Sequence, residues 1–316
     1  MKNILALAFG FVALTACSAF AEDLNGADVT APPAIGEQNT PAVLTGTLLK
    51  VRDSGAITVG YREASFPFSY VAKESPTPLG YSIDLCQGIV DEIVRELNGA
   101  PIRVANQLVT SDSRMDAVIS GKVDIECGST TGNVERQKSV AFSPVIFVAG
   151  TKLLVKKDSG VNSYKDLTGK TLVVTSGTTN EVAMKLLNDK YKLGVNIISG
   201  RDHEESYNLL ADGKADAFAT DDVLLYGFIA RKNAQATMAV VGDFITYEAY
   251  GIMFRKDDPQ MAAAVAQAFS VMAKTGALVA AYHKWFLQRT PTGELIDLPL
   301  SLQLTEALRA LGVDDF

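Results

Sequence analysis

The sequence has few of the residues on which metal, redox and acid–base chemistry most often depend. Its 316 residues include three cysteines, two histidines and one tryptophan. It contains no Cys/His set with metal-ligand spacing, no Gly-x-Ser-x-Gly elbow and no phosphate loop of glycines and lysine. We therefore expect no metal, no cofactor and no enzyme of these classes.

An excess of positive charge is also missing. The chain has 29 Lys and Arg against 36 Asp and Glu, which gives a formal net charge of -7. A protein that binds nucleic acid needs a basic face, so we expect no nucleic-acid partner. In an acidic chain, a group of arginines is informative, because the overall composition does not predict one.

Long apolar runs are absent except at the N-terminus. Residues Ile4–Ala16 are almost continuously apolar after Met1 and Lys2, and Ala19-Phe20-Ala21 has the small-x-small pattern of a signal-peptidase site. This pattern predicts a signal peptide over residues 1–21 and export to the periplasm. An alternative is a lipobox at Leu14–Cys17, in which Cys17 would be the lipid anchor. Residues 22–47, rich in Ala, Pro, Gly, Asn and Thr, are expected to form a flexible leader.

Two cysteines, Cys86 and Cys127, remain in the region expected to fold. In an oxidising compartment they could form a disulfide. Two buried free thiols are an equally good interpretation, because a free cysteine often behaves as a small core residue.

The folded region alternates apolar strands with helical patterns, which indicates an α/β fold. The order strand, helix, strand, helix, strand occurs over residues 57–127 and again over 171–219, and Ser120–Ile125 resembles Asp212–Ala217. Two lobes are predicted. A further strand at Tyr250–Phe254, followed by a helix over Pro259–Lys274, suggests that the chain returns to the first lobe. We expect lobe 1 at 48–148 and 250–316, lobe 2 at 149–249, and two hinge crossovers.

Four stretches carry a family resemblance: GYREASFPFSY at 60–70, ECGSTTGNVERQ at 126–137, VTSGTT at 174–179 and EAYG at 248–251. With them the chain resembles the periplasmic amino-acid-binding proteins of ABC importers (solute-binding protein family 3), in particular the glutamate/aspartate-binding branch. The resemblance covers nearly all of residues 48–286. It implies a type II two-lobed fold with the ligand cleft between the lobes, a monomer, and a membrane permease as partner.

A site for an α-amino acid needs a cation for the α-carboxylate and an anion for the ammonium group. Thr175–Thr179 lies between a strand and a helix, where backbone N–H groups stabilise a carboxylate, although simple N-capping is an alternative. Arg136 can hold a carboxylate through two parallel bonds, or be a solvated surface cation. The resemblance implies that Arg136, Thr131 and the Thr179 amide bind the α-carboxylate. It implies that Asp221 and Ser129 bind the ammonium, with Asp222 as a helix cap.

Cations are also expected where a ligand side chain would lie. The resemblance implies that an acidic side chain is bound by four residues: Arg62, Ser111, Arg114 and His203. From composition alone, the two arginines would more often be surface residues, the serine an N-cap and the histidine an exposed loop residue. The implied ligand is L-glutamate or L-aspartate, which the sequence does not rank.

Other functions remain open. Another polar or acidic amino acid could be the ligand, a periplasmic dehydratase has the same fold, and a membrane receptor could replace the permease. Tyr282 and Trp285 are expected to pack in the core rather than contact a ligand, because the terminal pattern is amphipathic.

Overall fold

The computed structural model describes residues 43–73, 76–313 and Phe316. The predicted signal peptide, Cys17 and residues 22–42 of the predicted leader lie outside these residues. The folded part begins earlier than the sequence predicted, because Gly46 and Thr47 belong to the first helix and Thr47 is buried.

The described strands and helices alternate along most of the chain. The strands are β1 Ala56–Tyr61, β2 Ala64–Ser65, β3 Ser69–Val71, β4 Pro78–Leu79, β5 Arg103–Leu108, β6 Ile125–Glu126, β7 Val140–Phe142, β8 Phe147–Lys156, β9 Thr171–Thr175, β10 Asn196–Gly200, β11 Ala217–Asp221, β12 Met238–Val241, β13 Tyr247–Tyr250 and β14 Met253–Arg255. The α-helices are α1 Gly46–Ser54, α2 Tyr81–Glu96, α3 Arg114–Ile119, α4 Val134–Gln137, α5 Thr179–Tyr191, α6 His203–Ala211, α7 Asp222–Arg231, α8 Pro259–Lys274, α9 Ala277–Tyr282 and α10 Leu302–Arg309. A 3-10 turn covers Tyr164–Leu167 and a π-turn His283–Leu287.

The first sheet has the order β5-β1-β6-β14-β7. Strands β5, β1 and β6 run parallel, whereas β14 is antiparallel to β6 and β7. Helices α2 and α8 pack together against this sheet, and their apolar faces share one core with the aromatic residues of α9 and the π-turn. Tyr282 and Trp285 are buried in that core, as the sequence predicted.

The second sheet has the order β10-β9-β11-β8-β12, and β13 also pairs with β8. Its central strands are buried on both faces. Leu172 and Val174 of β9 contact one apolar cluster, and Val173 between them contacts another. This pattern explains the continuous apolar runs in the sequence, which are typical of strands covered by helices on both sides.

The chain passes between the two sheets twice. β7 belongs to the first sheet and β8 to the second, and β13 is followed by β14 in the first sheet. β8 and β13 pair antiparallel, with Val148 opposite Ala249. We call the regions around the two sheets the first and second lobes. The predicted boundaries at 148 and 249 fall within this strand pair and stay a prediction.

A disulfide joins Cys86 of α2 to Cys127, directly after β6, across a Cα–Cα distance of 6.3 Å. The sequence had left open whether these cysteines form a disulfide or remain two free thiols, and the structure has the disulfide. Among the described residues, no single helix is long and apolar enough to cross a membrane. Helices α8 and α9 with the π-turn pass that test only together, across a bend of 83°, and their apolar faces are buried in the core.

Candidate ligand-binding site

The first lobe brings predicted site residues together at one edge of its sheet. Arg62 follows β1, Ser111 and Arg114 follow β5, and Ser129 follows β6. Because these three strands are parallel and adjacent, their carboxyl ends meet at the same edge. Residues from separate parts of the chain therefore converge on one site.

The second lobe also places its predicted site residues at the carboxyl ends of parallel strands. Thr179 begins the helix after β9, His203 begins the helix after β10, and Asp221 ends β11. β10, β9 and β11 are parallel neighbours, so their carboxyl ends also share an edge. Thr179 is the first residue of α5, and its N–H therefore has no acceptor within the helix.

Arginines are the main feature of the first-lobe edge. Arg62 is 1% exposed and donates from Nη2 to Ser111 Oγ at 2.7 Å. Arg114 is 2% exposed and donates from Nη1 to Thr130 Oγ1 at 2.6 Å. Within the described part of the chain, Arg62 Nη1, Arg114 Nε and Ser129 Oγ are buried without a hydrogen-bond partner. Buried donors of this kind cost free energy unless a ligand or water accepts from them.

A third arginine spans the space between the lobes. Arg136 of α4 donates from Nη1 to the carbonyl oxygen of Thr131 at 3.0 Å and from Nη2 to that of Gly177 at 3.3 Å. Gly177 has φ +73°, and a Cβ there would lie 2.7 Å from the Cα of Asp112. A loop of each lobe is therefore in close contact with the other at this site.

The three guanidinium groups lack direct ion pairs, although the charge of Glu126 acts on all three and partly offsets them. None forms an ion pair with a carboxylate of the described residues. Burial lowers the pKa of Arg62 to about 9, helped by the charge of Arg114. Burial and the same neighbour lower the pKa of Arg136 to about 10, and burial lowers the pKa of Arg114. A guanidinium group stays protonated at neutral pH, so the site attracts anions.

The second lobe contributes one carboxylate and one neutral imidazole. Burial and the nearby charge of Glu248 raise the pKa of Asp221 to about 7, against the hydrogen bonds from Tyr250 and Asn180. Burial, with the charges of Arg62 and Arg114, holds the pKa of His203 well below its usual value. His203 Nδ1 lies 2.9 Å from Thr175 Oγ1.

Several site residues were not found by sequence reasoning. Glu126 accepts from Thr130 Oγ1 at 2.6 Å, and Thr130 in turn accepts from Arg114. Glu248 accepts from Thr179 Oγ1 at 2.8 Å, and Tyr250 donates to Asp221. Glu126, Glu248 and Tyr250 all lie within the stretches that carry the family resemblance, which was the available signal.

One prediction is wrong, and one alternative left open by the sequence is observed. Asp222 is the first residue of α7 rather than its N-cap, and it accepts the N–H of Gly150 at 3.2 Å instead. N-capping before α5 does occur, because Thr178 Oγ1 accepts the N–H of Glu181 at 3.1 Å. Among the residues that the structure describes, no three His, Cys, Asp or Glu side chains are grouped to hold a metal ion.

Comparison with known proteins identifies the fold. Residues 57–288 match the bacterial extracellular solute-binding proteins, family 3. The chain belongs to that family. This solute-binding protein is similar to the arginine-binding protein of T. maritima in a mutant crystal structure, with a TM-score of 0.68 and 26% identity over 76% of this chain and 99% of that one.

Two curated relatives are more similar in sequence. The L-glutamate/L-aspartate-binding protein of Pseudomonas aeruginosa is 44% identical over 266 residues, which cover 84% of this solute-binding protein and 88% of the relative. The glutamate/aspartate import solute-binding protein of Escherichia coli is 40% identical over 265 residues, with 84% and 86% covered. Both are named as binding proteins and neither as an enzyme.

Proposed function

We propose that this protein binds L-glutamate or L-aspartate between its lobes and delivers it to the permease of an ABC importer. The observation that carries the proposal is the set of three guanidinium groups that form no direct ion pair with a described carboxylate. Two of them, Arg114 and Arg136, interact electrostatically with Asp221 of the second lobe. A ligand with two carboxylates and one ammonium complements that arrangement. The names of the two curated relatives support the same ligand class.

The α-carboxylate is assigned to Arg136, the Thr179 amide and Thr131. Arg136 is anchored by carbonyls of both lobes, and a guanidinium binds a carboxylate through two parallel hydrogen bonds. The ammonium is assigned to Asp221 and Ser129. Asp221 supplies the anion, and Ser129 Oγ is buried without a described partner.

The acidic side chain is assigned to Arg62, Arg114, Ser111 and His203. Arg62 and Arg114 are buried beside each other, and each carries an unpaired donor. Glu126 offsets part of these two charges, but a neutral side chain would leave the unpaired donors without a charged acceptor. A carboxylate would satisfy both. His203 stays neutral and contributes through its imidazole nitrogen rather than through charge.

The protein is proposed to act in the periplasm as a monomer, either free or anchored through Cys17. Binding needs no covalent step, metal or cofactor. Several charge-assisted hydrogen bonds of ~1.5–3 kcal/mol each are enough for micromolar affinity, which corresponds to about -8 kcal/mol.

Isothermal titration of the purified protein with glutamate, aspartate, glutamine and asparagine tests the proposal. We expect one acidic amino acid per chain and at least tenfold weaker binding of the amides. Equal affinity for glutamine would overturn the acidic assignment and favour another polar amino acid. The sample recovered after prolonged incubation is then analysed by NMR. Unchanged ligand is expected, and turnover of glutamate or of a prephenate-like acid would instead indicate the dehydratase.

A further inference from the structure

Tyr250 is the point at which both lobes and the strand pair between them meet. Its carbonyl accepts the N–H of Ile146 at 2.9 Å in the pairing of β13 with β8. On its other side it forms an isolated bridge with Thr131 of the first lobe. Its side chain is fully buried, and its hydroxyl donates to Asp221 Oδ2 in the second lobe.

The backbone around Tyr250 is hydrogen-bonded to the loop after β6, which belongs to the first lobe. Gly251 donates its N–H to Thr130 at 3.0 Å, and Gly132 donates to Ala249 at 2.8 Å. Thr131, enclosed by these bonds, is a ligand residue in the proposed function. Tyr250 therefore contacts one proposed ligand-binding residue in each lobe. It holds Thr131 through backbone pairing and Asp221 through the Tyr250 hydroxyl.

The hydroxyl of Tyr250 is one end of a continuous network of buried polar side chains. Asp221 Oδ1 accepts from Asn180 at 2.7 Å, and Asn180 also donates to Thr151 at 2.7 Å. The network continues through the hydroxyls of Thr151 and Thr246, which are 2.6 Å apart, to Glu248, which accepts from Thr246 at 2.6 Å and from Thr179 at 2.8 Å. It starts and ends on β13.

We propose that Tyr250 is a positioning residue for ligand binding, whose hydroxyl orients the Asp221 carboxylate toward the ligand's ammonium. The inference rests on the proposed function and deepens it. Tyr250 does not contact the ligand in this assignment. It acts through Asp221.

The charges around Asp221 explain why one hydroxyl matters. Glu248 of β13 and Asp222 of α7 raise the pKa of Asp221, and Arg114 of α3 and Arg136 of α4 are the facing cations. The hydrogen bonds from Tyr250 and Asn180 lower that pKa, and the result is about 7. Burial holds the pKa of the Tyr250 phenol well above its usual value, so the phenol remains a donor.

The test is the pH dependence of glutamate affinity in Tyr250→Phe, measured by titration calorimetry. Phenylalanine keeps the ring that packs on Phe68 and Phe147. The matched control is Tyr81→Phe, because Tyr81 is equally buried in the same aromatic cluster and its hydroxyl donates to the Ile146 carbonyl, not to Asp221. The range should extend from about pH 5.5 to about pH 8.5, on both sides of a carboxyl pKa of about 7.

In the wild type we expect affinity to fall as pH decreases through the Asp221 pKa, because a neutral carboxyl group no longer attracts the ammonium. In Tyr250→Phe the fall should begin at higher pH, and affinity at pH 7 should be about tenfold lower. Glu248→Gln removes a like charge, so its profile should move to lower pH. Tyr81→Phe should follow the wild type.

A ligand without an amine separates positioning from general damage. Glutarate has two carboxylates and no ammonium, so its binding should not weaken in Tyr250→Phe. An unshifted Tyr250→Phe profile, or equal losses for glutamate and glutarate, would overturn the inference alone. Failure of the wild type to bind any acidic amino acid would overturn the proposed function itself.

Discussion

Arg136 and Gly177 are joined across the cleft by a hydrogen bond of 3.3 Å from a guanidinium nitrogen to a backbone carbonyl. The arginine belongs to α4 of the first lobe, and the glycine lies between β9 and α5 of the second. The cation assigned to the α-carboxylate therefore also contacts the opposite lobe, and ligand binding and lobe contact involve the same side chain.

Replacement of Arg136 by Ala should weaken binding of every amino acid, acidic or neutral, because the α-carboxylate is common to all of them. The loss of charge-assisted bonds predicts at least a tenfold increase in Kd. Titration calorimetry with glutamate and glutamine measures it. Lys138→Ala is the control, because Lys138 pairs with Glu135 at an exposed position. A loss confined to acidic ligands would contradict the assignment.

Replacement of Arg114 by Ala should reduce the preference for acidic over amide side chains. The glutamate affinity should fall by at least tenfold while the affinity for glutamine changes less, because only the acidic side chain pairs with this cation. Arg114 also donates to Thr130, so Arg114→Lys serves as a second variant that keeps the charge. Equal losses for glutamate and glutamine in both variants would show that Arg114 does not select the side chain.

Gly177→Ala should reduce the affinity for all ligands by preventing close contact of the lobes. Its Cβ would meet the Asp112 backbone of the first lobe. Gly169→Ala is the matched control, since Gly169 has φ +72° with open space around its Cβ. Both variants should lose about 1–2 kcal/mol of stability from left-handed backbone strain. Calorimetry should show weaker ligand binding in Gly177→Ala alone.

Asp221→Asn should stabilise the ligand-free protein at pH 8 while abolishing tight glutamate binding. The folded-state pKa of Asp221 is raised from 3.8 to about 7, so the stability due to its protonated form is complete below pH 3.8 and lost as pH rises to about 7. The free energy of unfolding should increase by on the order of 1–3 kcal/mol. Urea unfolding at pH 5 and 8 measures it, and a larger gain at pH 5 would contradict the assignment.

Much of the fold could be predicted because its signals are local. The strand over Thr171–Thr175 and the helix over Pro259–Lys274 have the predicted bounds. The predicted strand over residues 250–254 is instead two strands, β13 and β14. Gly251 and Ile252 separate them because the chain changes sheets there. Apolar character indicates that a segment is buried, but it does not indicate which sheet the strand joins.

The candidate site was predicted less completely. Arg62 and Asp221 were predicted from the family resemblance, and they lie directly after β1 and at the end of β11, where parallel strands bring their carboxyl ends together. The hydrogen bonds that orient them join residues far apart in sequence. Tyr250 and Asp221 are separated by 29 positions, and Thr179 and Glu248 by 69. No spacing pattern predicts such pairs, since they depend on how the lobes and the strand pair are assembled.

The place of β14 in the first sheet determines which sheet can be completed first as the chain is synthesised from its N-terminus. β14 lies between β6 and β7, so the first sheet has a gap until residues 253–255 arrive. The five strands β8 to β12 of the second sheet come from residues 147–241 without interruption. These five strands can therefore pair before residues 253–255 are made, whereas β6 and β7 keep unpaired edges until β14 is available.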